Sequence, residues 1–255
     1  MLLSEFDLTK QAVINPEDII TPLADMPKVA VSCYSCITFE RMVEELDVEI
    51  IGRLSTANAV IPVYRTVYKN TPIALFMAGV GAPMSAGDLE EIYQMGVQKV
   101  VLFGSCGVLD QRIEDCSVII PNCAVRDEGT SYHYAPASDE ISVNERYIND
   151  FVSLLEELQI SYTIGKVWTT DAIYRETPDK VKRRKEQGCI CVDMECSANA
   201  AVAAFRGKEL LQFFYAADNL DAEKWDARSL RNTDKLDEKD RVAMLALEAA
   251  VRVAL

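Results

Sequence analysis

The chain is short of positive charge. Of its 255 residues, 26 are Lys or Arg and 40 are Asp or Glu, which leaves a net charge of −14 with histidine neutral. Such a surface repels polyanions, and nucleic acid binding would require a segregated basic face. One basic run exists, Lys182-Arg183-Arg184-Lys185, and it reads as a solvated helix face after Pro178. A single histidine, His133, leaves no histidine pair for zinc. No apolar run reaches the roughly 18 residues of a membrane span, so no membrane partner is expected. No charged segment followed by an apolar one opens the chain. The eight cysteines are therefore expected to be thiols of a soluble cytoplasmic protein. Nor does a Pro/Gly/Ser-rich linker or repeat divide the sequence, so residues 1–255 are expected to form a single domain.

Hydrophobic residues make up 49% of the chain, enough for a sizeable core. Short β-rich runs alternate with helical patterns, which predicts an α/β fold with a largely parallel sheet. Strands are expected over 28–33, 97–103, 117–125, 162–170 and 210–217. A hairpin is expected over 60–69 and 72–78, turning at Asn70-Thr71. Helices are expected to start over 39–46, and to run over 85–95 with Ser85 as N-cap, over 144–158 and over 237–255.

In open α/β sheets ligands sit beyond the carboxyl ends of strands, and four of these ends carry chemistry. Cys33-Tyr34-Ser35-Cys36 is a C-x-x-C between strand and helix, read either as a dithiol whose pKa a helix N-terminus lowers or as ordinary buried cysteines. Gly79-Val80-Gly81 precedes a helix, and Gly104-Ser105-Cys106-Gly107 ends a strand. Side by side, these two turns read as a phosphate cradle or as packing glycines. The fourth feature is acidic: Val192-Asp193-Met194-Glu195 before a small-residue helix, and Asp218-Asn219 after an apolar strand. A carboxylate following apolar residues is costly to bury unless it binds something; the alternative is an exposed helix cap.

The segments FGSCGVLD (103–110), AVRDEGTSYHYAP (124–136), VDMECSANAAVAAFRG (192–207) and YAADNLD (215–221) together resemble the nucleoside phosphorylase family. That family comprises uridine phosphorylases, hexameric purine nucleoside phosphorylases and related nucleosidases. The resemblance implies a three-layer α/β domain with a central mixed sheet flanked by helices. The implied reaction is phosphorolysis of a nucleoside to free base and ribose 1-phosphate, with phosphate as co-substrate and no metal or organic cofactor. By the same resemblance, Glu195 holds the ribose 2′ and 3′ hydroxyls, Met194 packs on the sugar and Asp193 fills the acidic position before them. Gly104 and Ser105 touch phosphate and ribose. Arg65 is the arginine lent to a neighbouring subunit's phosphate site, which implies a homodimer or a homohexamer built as a trimer of dimers. Asp218 is the purine-type aspartate that protonates N7 of the leaving base.

The sequence departs from the family pattern on the phosphate side. Ser32-Cys33-Tyr34-Ser35-Cys36 stands in place of a Gly-Asp-Pro-x-Arg loop, with Arg41 as the substitute guanidinium, and Leu102 stands where many members have arginine. Asp7 aligns with a histidine that some members donate across an interface. His133 is expected to make a structural hydrogen bond. The base side offers Tyr174 and Arg175, the latter displaced from a uracil-reading arginine. Two other readings follow: a phosphate-independent nucleosidase, suggested by the altered loop and Leu102, and a thiol redox or sensing protein, suggested by Cys33 and Cys36.

Overall fold

The computed structural model describes residues 2–57, 59–231 and 233–255. After the short helix α1 (Pro16–Ile19), the buried run VAVSC forms β1 (Val29–Cys33), and α2 (Cys36–Glu44) follows. Ser35 caps α2 by accepting the Thr38 N–H. Three antiparallel strands come next: β2 (Glu49–Ser55), β3 (Val60–Tyr68) and β4 (Thr71–Met77). The expected hairpin is β3–β4, turning at Lys69 and Asn70, both with positive φ. The strand β2, with the broken burial pattern of an edge and Gly52 at a register shift, gave no alternation to read.

The helix α3 (Ala82–Met95) begins three residues earlier than the sequence suggests. Gly81, at φ +96°, is its N-cap and Pro83 lies in its first turn, so Ser85 is a buried residue within the helix and not its cap. The strand β5 (Lys99–Val108) does not stop at Gly104. Its parallel pairing with a later strand carries it through Gly104-Ser105-Cys106-Gly107.

The second half contains β6 (Val118–Asp127), β7 (Glu140–Ser142), α4 (Ile148–Glu157), β8 (Tyr162–Thr170), α5 (Pro178–Glu186), β9 (Cys189–Asp193), α6 (Cys196–Arg206), β10 (Glu209–Asn219) and α7 (Leu236–Ala254). Among the described residues the strands join into one ten-stranded mixed sheet, in the order β10-β6-β8-β9-β5-β1-β4-β3-β2, with β7 on β6. Because β10 also pairs with β5, strands β10, β6, β8, β9 and β5 close on themselves. Closure brings the ends of β5, β9 and β10 together.

Alternation along β1 shows how the layers form. Val29, Val31 and Cys33 face a core shared with Phe39, Phe151 and Val242 of α2, α4 and α7. Ala30 faces the opposite core, with Leu89 and Ile92 of α3 and Val202 of α6. Helices therefore cover both faces of a central mixed sheet, as expected. No helix of the described residues is long and apolar enough to cross a membrane.

Candidate functional site

Parallel strands β5 and β10 end at the same level, with Gly107 opposite Asp218 across a register shift at Ala216. A Cβ on Gly107 would lie 2.5 Å from Leu220 and 3.1 Å from Asp218 Oδ1, so only glycine lets the Asp218 carboxyl lie against this strand. Asp218 is buried, and its Oδ2 accepts from the Trp225 indole N–H at 2.8 Å. Burial pushes its pKa up despite that hydrogen bond.

The acidic stretch at the end of β9 divides its tasks. Asp193 Oδ2 accepts the N–H groups of Glu195 and Cys196 at 2.9 and 2.6 Å and caps α6, while Oδ1 accepts from the Thr169 hydroxyl at 2.7 Å. It is a helix cap, yet a buried one rather than an exposed one. Glu195, also buried, accepts the Gly81 N–H at 2.6 Å. Burial and the Asp193 carboxylate beside it push the Glu195 pKa up.

Glu195, Asp193, Met194, Ser105 and Asp218 line one cavity of about 220 Å³, together with Tyr34. A larger one of about 860 Å³ opens beside it, lined by Tyr174, Trp225 and the α5 side chains Val181, Lys182 and Lys185. The basic run is a solvated face, as expected, with Lys182, Arg183 and Lys185 exposed. Lys182 and Lys185 turn toward the larger cavity, and Arg184 lies over the Trp168 ring and pairs with Asp127. Five residues line both cavities: Ile173, Leu220, Leu230, Asp218 and Glu176. Sequence reasoning missed Glu176, whose pKa is pushed up to about 7 by burial and then by Asp218. It also missed Trp225.

The anion side differs from the expectation of a cradle. Gly79 gives its N–H to Asp88 at 2.7 Å and Gly81 gives its own to Glu195, so both turn amides hold carboxylates of the protein. Burial pushes the Asp88 pKa up to about 6. Gly104 is buried beneath Tyr34, whose ring carbon lies 2.7 Å from where a Cβ would be. The Tyr34 hydroxyl bonds to Ser85 Oγ and Asn199 Nδ2, each at 2.8 Å.

Among the described residues no Lys or Arg lines the smaller cavity. Arg41 is committed to Asp240 on α7, 2.5 Å away, which takes it out of the role of substitute guanidinium within this chain. Arg65, on β3, lies 3.7 Å from Glu49 and outside both cavities. Arg175 is exposed beside Tyr174, which is 96% exposed at the rim of the larger cavity. His133 is exposed in a short helical turn, away from both cavities, and Asp7 is exposed and accepts the Thr9 N–H.

The C-x-x-C reading changes as well. Cys33 is buried, its thiol donates to the Ser35 carbonyl at 3.5 Å, and burial raises its pKa to about 12, the reverse of the lowering a helix N-terminus would give. Among the described residues no group of three or more His, Cys, Asp or Glu is placed to hold a metal ion.

Comparison with known proteins agrees with this architecture. The chain is 23% identical over 204 residues to a guanosine phosphorylase of Halorubrum lacusprofundi, covering 80% of this chain and 83% of that one. It is 26% identical over 192 residues to a DeoD-type purine nucleoside phosphorylase of Bacillus cytotoxicus, covering 72% and 78%. Among solved structures, a uridine phosphorylase of Vibrio fischeri superposes with a TM-score of 0.74 at 24% identity, covering 94% and 95%. A purine nucleoside phosphorylase of Toxoplasma gondii, in complex with immucillin-H, gives 0.75 at 20% identity, covering 91% and 94%. The family model described as the Phosphorylase superfamily matches residues 33–254, and the chain belongs to that superfamily.

Proposed function

We propose that this chain cleaves the N-glycosidic bond of purine nucleosides and transfers the ribosyl group to inorganic phosphate. The observation that carries this reading is that Glu195, just past the end of β9, and Asp218, near the end of β10, line the same cavity from the two strands that flank β5. Cleavage leaves positive charge on the sugar and negative charge on the base, and each carboxyl answers one of these. Glu195 accepts the ribose 2′ and 3′ hydroxyls, while Met194 packs on the sugar. The C1′–N9 bond breaks with its electron pair passing to the base, N7 takes a proton from the Asp218 carboxyl, whose burial favours the protonated form, and a phosphate oxygen bonds to C1′.

Trp225 supports the assignment by occupying Asp218 Oδ2, which leaves Oδ1 for the base. The curated relatives named as guanosine and purine nucleoside phosphorylases favour the purine side. Phosphate needs positive charge that the smaller cavity does not itself carry. Arg65 of a second copy supplies it in this reading, which makes the active form a homodimer or homohexamer. A cytoplasmic setting, with reduced thiols and ample phosphate, suits the reaction.

A second reading, hydrolysis, is favoured by one specific arrangement: the amides of Gly79 and Gly81 already hold Asp88 and Glu195, and Tyr34 covers Gly104. Incubation of the purified protein with inosine, adenosine and uridine, with and without phosphate, separates the two. Ribose 1-phosphate formed only with phosphate supports phosphorolysis; base release independent of phosphate supports hydrolysis.

A further inference from the structure

Resting on the reading that Asp218 acts on the base, we infer that Lys239 of α7 is a positioning residue. By seating Ser229 against β10 it fixes both the bulge that aims Asp218 and the turn that brings Trp225 onto it. Along β10 the pairing to β5 passes from Ala216–Cys106 to Asp218–Gly107, so Ala217 is the extra residue of a β-bulge immediately before Asp218. Such an insertion re-aims the side chains beside it and leaves its own backbone outside the ladder. Here the Ala217 carbonyl accepts the Ser229 N–H at 3.1 Å. On the other side of Asp218, Asn219 and Asp226 exchange backbone hydrogen bonds at 2.8 and 3.2 Å. The chain between these contacts doubles back along β10, and from it the Trp225 indole reaches Asp218 Oδ2 at 2.8 Å.

Ser229 is gripped from three sides. Besides its N–H, its hydroxyl donates to Asp115 Oδ1 at 2.6 Å, and its carbonyl accepts from Lys239 Nζ at 2.8 Å. The same ammonium donates to the Arg231 carbonyl at 2.7 Å. Ser229 and Lys239 are both buried, and neither lines the two cavities, so neither is placed to touch substrate.

A lysine is an expensive choice at this point. It stands near the N-terminus of α7, where the helix dipole disfavours a cation, and burial of an ammonium is costly unless it is bonded. Two carbonyls of one segment meet that cost only while the segment lies against β10. Were residues 226–231 to lift away, the charge would stay in the interior without these acceptors. The cost of the buried charge therefore holds the segment down, and with it the bulge and Trp225.

The test is fluorine NMR of protein labelled with fluorotryptophan, together with kinetics on inosine, in the wild type, K239M, S229A, D218N and the double variant K239M/D218N. The chain has two tryptophans, Trp168 and Trp225, and W225F assigns their resonances. Methionine keeps the length and apolar stem of lysine and removes only the charge. K239M is expected to shift and broaden the Trp225 resonance while that of Trp168 stays in place. It is also expected to lower kcat on the order of tenfold with KM for phosphate unchanged. In the D218N background the same change should alter kcat by less than about twofold, since Lys239 acts through Asp218. S229A, which removes the hydroxyl bonded to Asp115, is expected to move the Trp225 resonance in the same direction, and it decides the matter if K239M does not fold. An unmoved Trp225 resonance, a wild-type kcat in K239M, or an equal loss with and without Asp218 would overturn the assignment of Lys239 while leaving the purine reading intact. Unimpaired cleavage of inosine by D218N would overturn the purine reading and the catalytic half of this inference, and the Trp225 resonance would still decide whether Lys239 seats the segment.

Discussion

Gly81 donates its backbone N–H to Glu195 Oε1 at 2.6 Å, joining the turn before α3 to the start of α6 across 114 positions of sequence. Glycine is required at this point because φ is +96°, a conformation that residues with a side chain rarely adopt. The bond fixes Oε1 of Glu195 in place. It also spends an amide that would otherwise be free to bind an anion. One contact thus ties the carboxyl proposed for ribose to the turn before α3.

The Glu176 carboxyl has a sign that can be worked out. Its pKa is raised from 4.5 to about 7 by burial and by Asp218, with Lys180 opposing. The folded protein therefore binds more protons than the unfolded chain between these values, and this group's contribution to stability is lost as pH rises through that window. E176Q should match the wild type in stability below about pH 4.5 and gain on it above about pH 7, read by urea denaturation at several pH values.

Y34F removes the hydroxyl that bonds both Ser85 and Asn199. It should cost about 1 kcal/mol or more in unfolding free energy, since Ser85 and Asn199 each lose one buried hydrogen bond while keeping the one between them. Stability equal to the wild type in denaturant titration would show that the two partners simply bond each other; they are already 2.8 Å apart.

G107A places a methyl group 2.5 Å from Leu220 and 3.1 Å from Asp218 Oδ1. Overpacking of this kind costs about 1–3 kcal/mol, and here the groups that must yield are Leu220 and Asp218, the second proposed to act on the base. A fall in kcat/KM of about tenfold or more, larger than that of the control variant G87A at an open position, is expected.

The two arginines named for phosphate should behave differently. R65A should raise KM for phosphate about tenfold or more, whereas R41A should leave it unchanged because its guanidinium is bound to Asp240. Equal effects of the two, measured by phosphate titration at saturating nucleoside, would remove Arg65 from the anion site.

What was legible in the sequence follows from what local patterns record. The acidic positions Asp193, Glu195 and Asp218 stood out because each follows apolar strand residues, and the strands do end in one cavity. Glu176 did not stand out. In sequence it is one polar residue in a turn before Pro178, and only the fold sets it beside Asp218, 42 positions later. The commitment of Arg41 was equally hidden, since its partner Asp240 lies 199 positions away. Ser85 was misread because a serine ahead of a helical pattern resembles a cap, while the positive φ of Gly81 that starts the helix leaves no trace in periodicity.

The most direct measurement is release of free base and ribose 1-phosphate from guanosine and inosine, with and without phosphate, by the wild-type protein and by E195Q. Phosphate-dependent release is expected in the wild type, with a loss of about a hundredfold or more in kcat for E195Q and the fold intact by circular dichroism. Release undiminished in E195Q, or no release from either nucleoside by the wild-type protein, would contradict it.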